Sequence, residues 1–183
     1  MRLVGNPHRP RLMTITSKHD YTPAMETMIE ERLESLEHLN LSGFVFKKGS
    51  PSCGLERVRV YTVQGMPSHS GSGMFARAFR DAFPLIPVEE EGRLCDPSIR
   101  ENFIERVFCY RRLQNLLHNG LNRQELIRFH TIHKYLLLSH SQQHYKTMGQ
   151  LVAQAERYRP KDLTAKYADL FMKTLAVRAT VRK

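Results

Sequence analysis

The segment Lys47-Lys48-Gly49-Ser50-Pro51-Ser52-Cys53-Gly54 puts two hydroxyls and a thiol within four residues, between two glycines and behind two lysines. A thiol acts as nucleophile or metal ligand in its thiolate form, and backbone N–H groups and lysines nearby favour that form. Gly49 and Gly54 permit the tight turns that free such N–H groups, and Pro51 stiffens the loop between them. The same residues also make an ordinary structural turn in which Cys53 is only a small side chain, so both readings stand. Downstream, Gly71-Ser72-Gly73 opens a helix, and helix N-termini attract phosphates and carboxylates. It lacks the Lys and Ser/Thr of a P-loop and the third glycine of a dinucleotide fingerprint. It stands as an anion-binding candidate or as a supporting wall for the first loop.

His130, His133, His140 and His144 fall within about 80° of one another on an unbroken helix of 3.6 residues per turn, which suggests a metal site. Leu126 and Leu137 share that face, however, and Ser139 to Ser141 reads as a break between helices. No cysteine lies beside the histidines to complete the mixed set of a structural zinc site, so core and rim histidines are the better reading. Cys95 and Cys109 match no metal-binding spacing and receive no role.

Charge separates the two halves of the chain. Residues 1–92 carry 11 basic and 11 acidic side chains, whereas residues 93–183 carry 17 and 7 and so hold the whole net charge of +10. Arg157, Arg159, Lys161, Lys166, Arg178, Arg182 and Lys183, with Tyr158 and Tyr167 interleaved, resemble a nucleic-acid face. Arg100, Arg106, Arg111 and Arg112 point in several directions around their helix, which a merely solvated surface also shows.

The elements that must position these groups follow from pattern. Leu12 to Thr16, Phe44 to Phe46, Val58 to Val63 and Leu85 to Val88 read as strands, and Phe44 to Phe46 as one buried on both faces. Thr22 caps a helix with Pro23 at its first position, and Gly73 to Phe83 is a second helix. Strand and helix alternate, so residues 1–95 are an α/β unit on a mostly parallel sheet, with fewer strands than a complete sheet usually has. From Asp96 the pattern is helical: one helix to Asn119-Gly120, a second from the Asn122 cap to about Leu138, a third from Ser141 to Tyr158 and a fourth over Leu163 to Thr180. Residues 96–183 are therefore an all-α bundle of about four helices.

Apolar runs such as Tyr135 to Leu138 are far shorter than the ~20 residues of a membrane span, so no membrane role is expected. The first residues have no hydrophobic core for a secretory signal, and three cysteines make no disulfide framework. A cytoplasmic protein with reduced thiols is expected.

The Lys47 to Gly54 segment, with Glu56-Arg57-Val58 and Gly73-Met74-Phe75-Ala76, resembles the bacterial family that includes the thiouracil desulfidases. Pro87 to Leu94, Arg100 to Phe108 and Phe129 to Leu137 are similar to its two-domain members, in which a YbgA-like helical domain follows. The resemblance implies an α/β domain whose three cysteines hold a [4Fe-4S] cluster, with one iron free to take sulfur from a thiolated pyrimidine. It makes Cys53 the last cluster ligand and Ser50 the proton-transfer serine, with Ser52 the fallback. The family's other two cysteines and its catalytic glutamate belong to upstream motifs that have no match here, and Cys95 and Cys109 do not match the missing pair. One ligand is too few for a cubane cluster. Either another chain lends ligands, or this is a product shortened at both ends that has lost activity and binds no cofactor alone, which is the favoured expectation. The alternative function is a non-enzymatic basic module, residues 96–183, that binds nucleic acid or a partner protein. An incomplete sheet also leaves an unpaired edge through which the chain would oligomerise.

Overall fold

The computed structural model describes residues 1–62, 64–118 and 122–179. Val63, Asn119, Gly120, Thr180, Arg182 and Lys183, which figure in the expectations above, lie outside them. The chain divides into two compact units, Met1–Cys95 and Asp96–Lys183.

The first unit holds strands β1 (Arg2–Asn6), β2 (Arg9–Met13), β3 (Phe44–Phe46), β4 (Val58–Tyr61), β5 (Pro67–Gly71) and β6 (Val88–Glu90), with helices α1 (Thr22–Glu37) and α2 (Met74–Ala82). The α/β class holds, but the sheet is mixed. In the four-stranded sheet β2-β1-β4-β5, β1 pairs antiparallel with β2 and parallel with β4, and β4 pairs antiparallel with β5. Strands β3 and β6 form a separate parallel pair. The β1–β2 hairpin sets Leu3 opposite Leu12, and both pack with Val58 and Val60 beneath Met25 and Met74. A second core is aromatic: Phe44 and Phe46 of β3 meet Phe75 and Phe79 of α2, with ring centroids 4.6 to 6.0 Å apart.

Several sequence expectations shift. The strand expected over Leu12 to Thr16 ends at Met13, because Thr14 turns the chain: its Oγ1 accepts from His19 N and its N–H donates to His19 O. Thr22 is the first residue of α1 and not its cap, since its Oγ1 accepts instead from Leu12 N at 2.9 Å and ties the helix to β2. Phe44 to Phe46 is buried on one face only, with Val45 46% exposed. The strand expected over Leu85 to Val88 begins at Val88.

The second unit holds α3 (Pro97–His118), α4 (Arg123–Ile132), α5 (Lys134–His140), α6 (Gln142–Ala153) and α7 (Pro160–Ala176). The helix expected from Arg123 to Leu138 is two, because it breaks at His133. There the ring Nδ1 and the backbone N–H both bond Phe129 O, the competition for a carbonyl that bends helices. Asn122 and Ser141 are caps as their types imply, accepting from Glu125 N at 2.8 Å and His144 N at 3.2 Å. Asn122→Ala is expected to cost about 1 kcal/mol, read as a lower urea midpoint at unchanged slope.

Candidate functional site

The Lys47 to Gly54 loop connects β3 to β4 and is gripped from two sides. On one side the first amides of α2 donate to it: Gly73 N to Gly54 O (2.7 Å), Met74 N to Pro51 O (3.1 Å) and Ala76 N to Ser52 O (3.1 Å). This approach is why residue 73 is glycine, since a Cβ there would stand 2.3 Å from Ser52 O. The Gly71-Ser72-Gly73 segment, an anion-binding candidate by sequence, thus directs its helix amides at the loop's carbonyls. On the other side, two consecutive acids at the end of β6, Glu90 opposite Phe46 and Glu91 next after it, hold the loop's ends. Glu90 Oε1 accepts from Leu55 N at 2.8 Å, and Glu91 accepts from Lys48 N at 2.7 Å and pairs with Lys47 Nζ at 3.0 Å. Lys47, expected beside the thiol, is therefore paired with a carboxylate, and that pairing holds the Glu91 carboxyl below its usual range.

Within the loop the three chemical groups are joined. Ser50 Oγ and Ser52 Oγ share a hydrogen bond at 2.9 Å, and Ser52 Oγ lies 3.4 Å from Cys53 Sγ. Ser50 Oγ also accepts from the N–H groups of Ser52 and Cys53, both at 3.3 Å. Gly49, at φ +68°, and the Gly54 N–H bond to Ser50 O close the turn. The arrangement is a short hydroxyl relay ending at a half-buried free thiol. Beside it opens a cavity of about 820 Å³ lined by Lys48, Gly49, Pro51, Arg57, Glu90 and Arg93. An apolar groove of about 420 Å³, with Tyr21, Met25 and Met28, reaches Pro51 and Ser52. Sequence reasoning missed Glu90 and Glu91, which lie 35 and 43 residues from the amides they hold.

The other two cysteines lie in different elements. Cys95 is exposed on a single 3-10 turn, Arg93–Cys95, and Cys109 is buried in α3 of the second unit, where burial pushes its thiol up to about 11. A thiol held protonated is a poor iron ligand. Among the described residues no group of three or more His, Cys, Asp or Glu is arranged to hold a metal. The residues present therefore do not fit a cluster held by this chain alone.

The four histidines considered as a metal site bond separately. His130 Nδ1 meets Tyr167 OH at 3.3 Å and its ring stacks on Tyr145, His133 bonds Phe129 O, and His140 Nε2 meets Glu105 Oε2 at 2.7 Å while its Nδ1 bonds Val177 O. His144 Nδ1, His130 Nε2 and His133 Nε2 are buried without a hydrogen-bond partner.

A mixed α/β unit with a Ser-Pro-Ser-Cys loop on a strand end, followed by a helical unit, defines a two-domain class. Residues 1–91 match the 2-thiouracil desulfurase family and residues 134–183 match a protein family of unknown function, DUF1722, the YbgA-like domain. The chain belongs to the 2-thiouracil desulfurase family in its two-domain form. No curated protein and no solved structure matches it. Among the described residues no helix is long and apolar enough to cross a membrane.

Proposed function

We propose that the first unit serves removal of sulfur from a thiolated pyrimidine, with water supplying the oxygen that turns C=S into C=O and sulfide leaving. The observation that carries this reading is the Ser50–Ser52–Cys53 relay, in a loop whose Gly49 and Pro51 line an open cavity and whose Ser52 lines the apolar groove, in a domain of the desulfurase family. In this reading Cys53 contributes one thiolate, and Ser50 with Ser52 moves a proton between solvent and the reacting centre. A [4Fe-4S] cluster of the kind the resemblance implies requires further thiolates, and the described residues bring none to Cys53. The chain by itself is therefore expected to be inactive. The basic second half supports a further reading, binding of nucleic acid by residues 96–183, through the excess of 17 basic over 7 acidic side chains in residues 93–183.

Iron and acid-labile sulfide per chain after anaerobic reconstitution, in wild type and Cys53→Ala, test the inactivity. The expected result is no cluster in either and no sulfide from 2-thiouracil. A near-integral cluster lost in the variant would show that Cys53 is a ligand completed by another chain and would overturn the inactivity. Equilibrium dialysis of 2-thiouracil tests the site: binding that weakens in Ser50→Ala supports it, and absence of binding sinks the substrate reading.

A further inference from the structure

We infer that Glu90 is a positioning residue for the Ser50–Cys53 loop, setting the exposure of the Cys53 thiol through the backbone of Leu55. The inference rests on reading that loop as the site of chemistry. Glu90 closes β6 opposite Phe46 and is 4% exposed, yet it is a carboxylic acid, a group that burial penalises unless something holds it. What holds it is the Leu55 N–H, donated to Oε1 at 2.8 Å, two residues after Cys53. The acid also lines the cavity beside the loop, among Lys48, Arg57 and Arg93.

The two grips on the loop are unequal. Glu91 holds Lys48, at the loop's entry, from an exposed surface through an ion pair with Lys47, and exposed pairs contribute little. Glu90 holds the exit, on the thiol's side, from a buried position. On that side the α2 amide of Gly73 bonds Gly54 O, so Gly54 and Leu55 are fixed by consecutive contacts from opposite elements. Removing Glu90 leaves the Leu55 N–H unpaired and frees one of those two anchors.

The test is the rate at which iodoacetamide alkylates Cys53, read by peptide mass spectrometry so that Cys95 and Cys109 are scored apart. Glu90→Gln keeps the reach and an acceptor oxygen but loses the charge, whereas Glu90→Asp keeps the charge and loses the reach to Leu55. Glu90→Asp is expected to alkylate Cys53 about tenfold faster, the scale of losing one hydrogen bond to a charged group, with Glu90→Gln and Glu91→Gln near wild type. A wild-type rate in Glu90→Asp, or an accelerated Glu90→Gln beside an unchanged Glu90→Asp, would overturn the inference. Alkylation does not involve 2-thiouracil, so the expected pattern without 2-thiouracil binding would remove the substrate reading and leave the positioning role intact.

Discussion

Gly73→Ala is expected to lower stability by about 3 kcal/mol, near the upper end of what overpacking does, and to loosen the Cys53 loop. The backbone at Gly73, with φ −63° and ψ 148°, suits alanine, so the effect does not come from a strained conformation. It comes from collision. The new Cβ would lie 2.3 Å from Ser52 O, 2.4 Å from Ser52 C and 2.7 Å from Cys53 N, all main-chain atoms that cannot swing aside as a side chain can. Relief requires the loop to leave the N-terminus of α2, which breaks the bonds from Gly73, Met74 and Ala76 to the loop together. A lower urea midpoint accompanied by faster Cys53 alkylation is the expected pair of results. Unchanged midpoint and unchanged alkylation would mean that loop and helix do not approach as closely as these contacts require.

That contact also marks where the sequence is informative and where it is not. The loop announces itself locally, through Gly49, Pro51 and Gly54 around its serines and thiol, and the helical caps Asn122 and Ser141 do the same for their helices. Periodicity along Ile99, Phe103, Val107, Tyr110 and Leu113 suffices for α3 because a long amphipathic face repeats its signal. Strand β5, Pro67-Ser68-His69-Ser70-Gly71, carries no such signal: four of its five residues are exposed and it exists through pairing with β4. Strand β1 is hidden by Gly5, at φ +98°, and by the brevity of its apolar pair Leu3-Val4, which gains meaning only opposite Leu12 and Val60. The antiparallel pairings of the sheet follow from these two strands, so a reading that lacks them arrives at a mostly parallel sheet. Glu90 and Glu91 are invisible for another reason. In the sequence they belong to an acidic run, Glu89 to Glu91, that looks solvated, and only the β3–β6 register brings the last two to the loop.

Acidification below pH 6.5 is expected to destabilise the second unit, through His130 and His133. Burial is the main cause that lowers both from their ordinary value of 6.5, with each other's proximity adding to it for His130 and the Phe129 carbonyl opposing it for His133. In the folded chain both rings are therefore neutral at a pH where the unfolded chain has begun to take up protons. The unfolded state binds more protons, so stability rises with pH across this window and is lost as pH falls from 6.5 toward the folded values. Each ring contributes a slope of at most about 1.4 kcal/mol per pH unit, and above about pH 7.5 the contribution is flat. His133→Phe isolates one of them. A phenyl ring takes the imidazole's place beside Phe129 and Phe171, the backbone N–H of residue 133 still serves Phe129 O, and the unpartnered Nε2 disappears. The variant is expected to match wild type near pH 7.5 within about 1 kcal/mol and to lose stability less steeply below pH 6.5. Parallel stability curves for the two proteins would mean that the His133 ring takes up its proton as readily folded as unfolded, and that the core around Phe129 and Phe171 admits water.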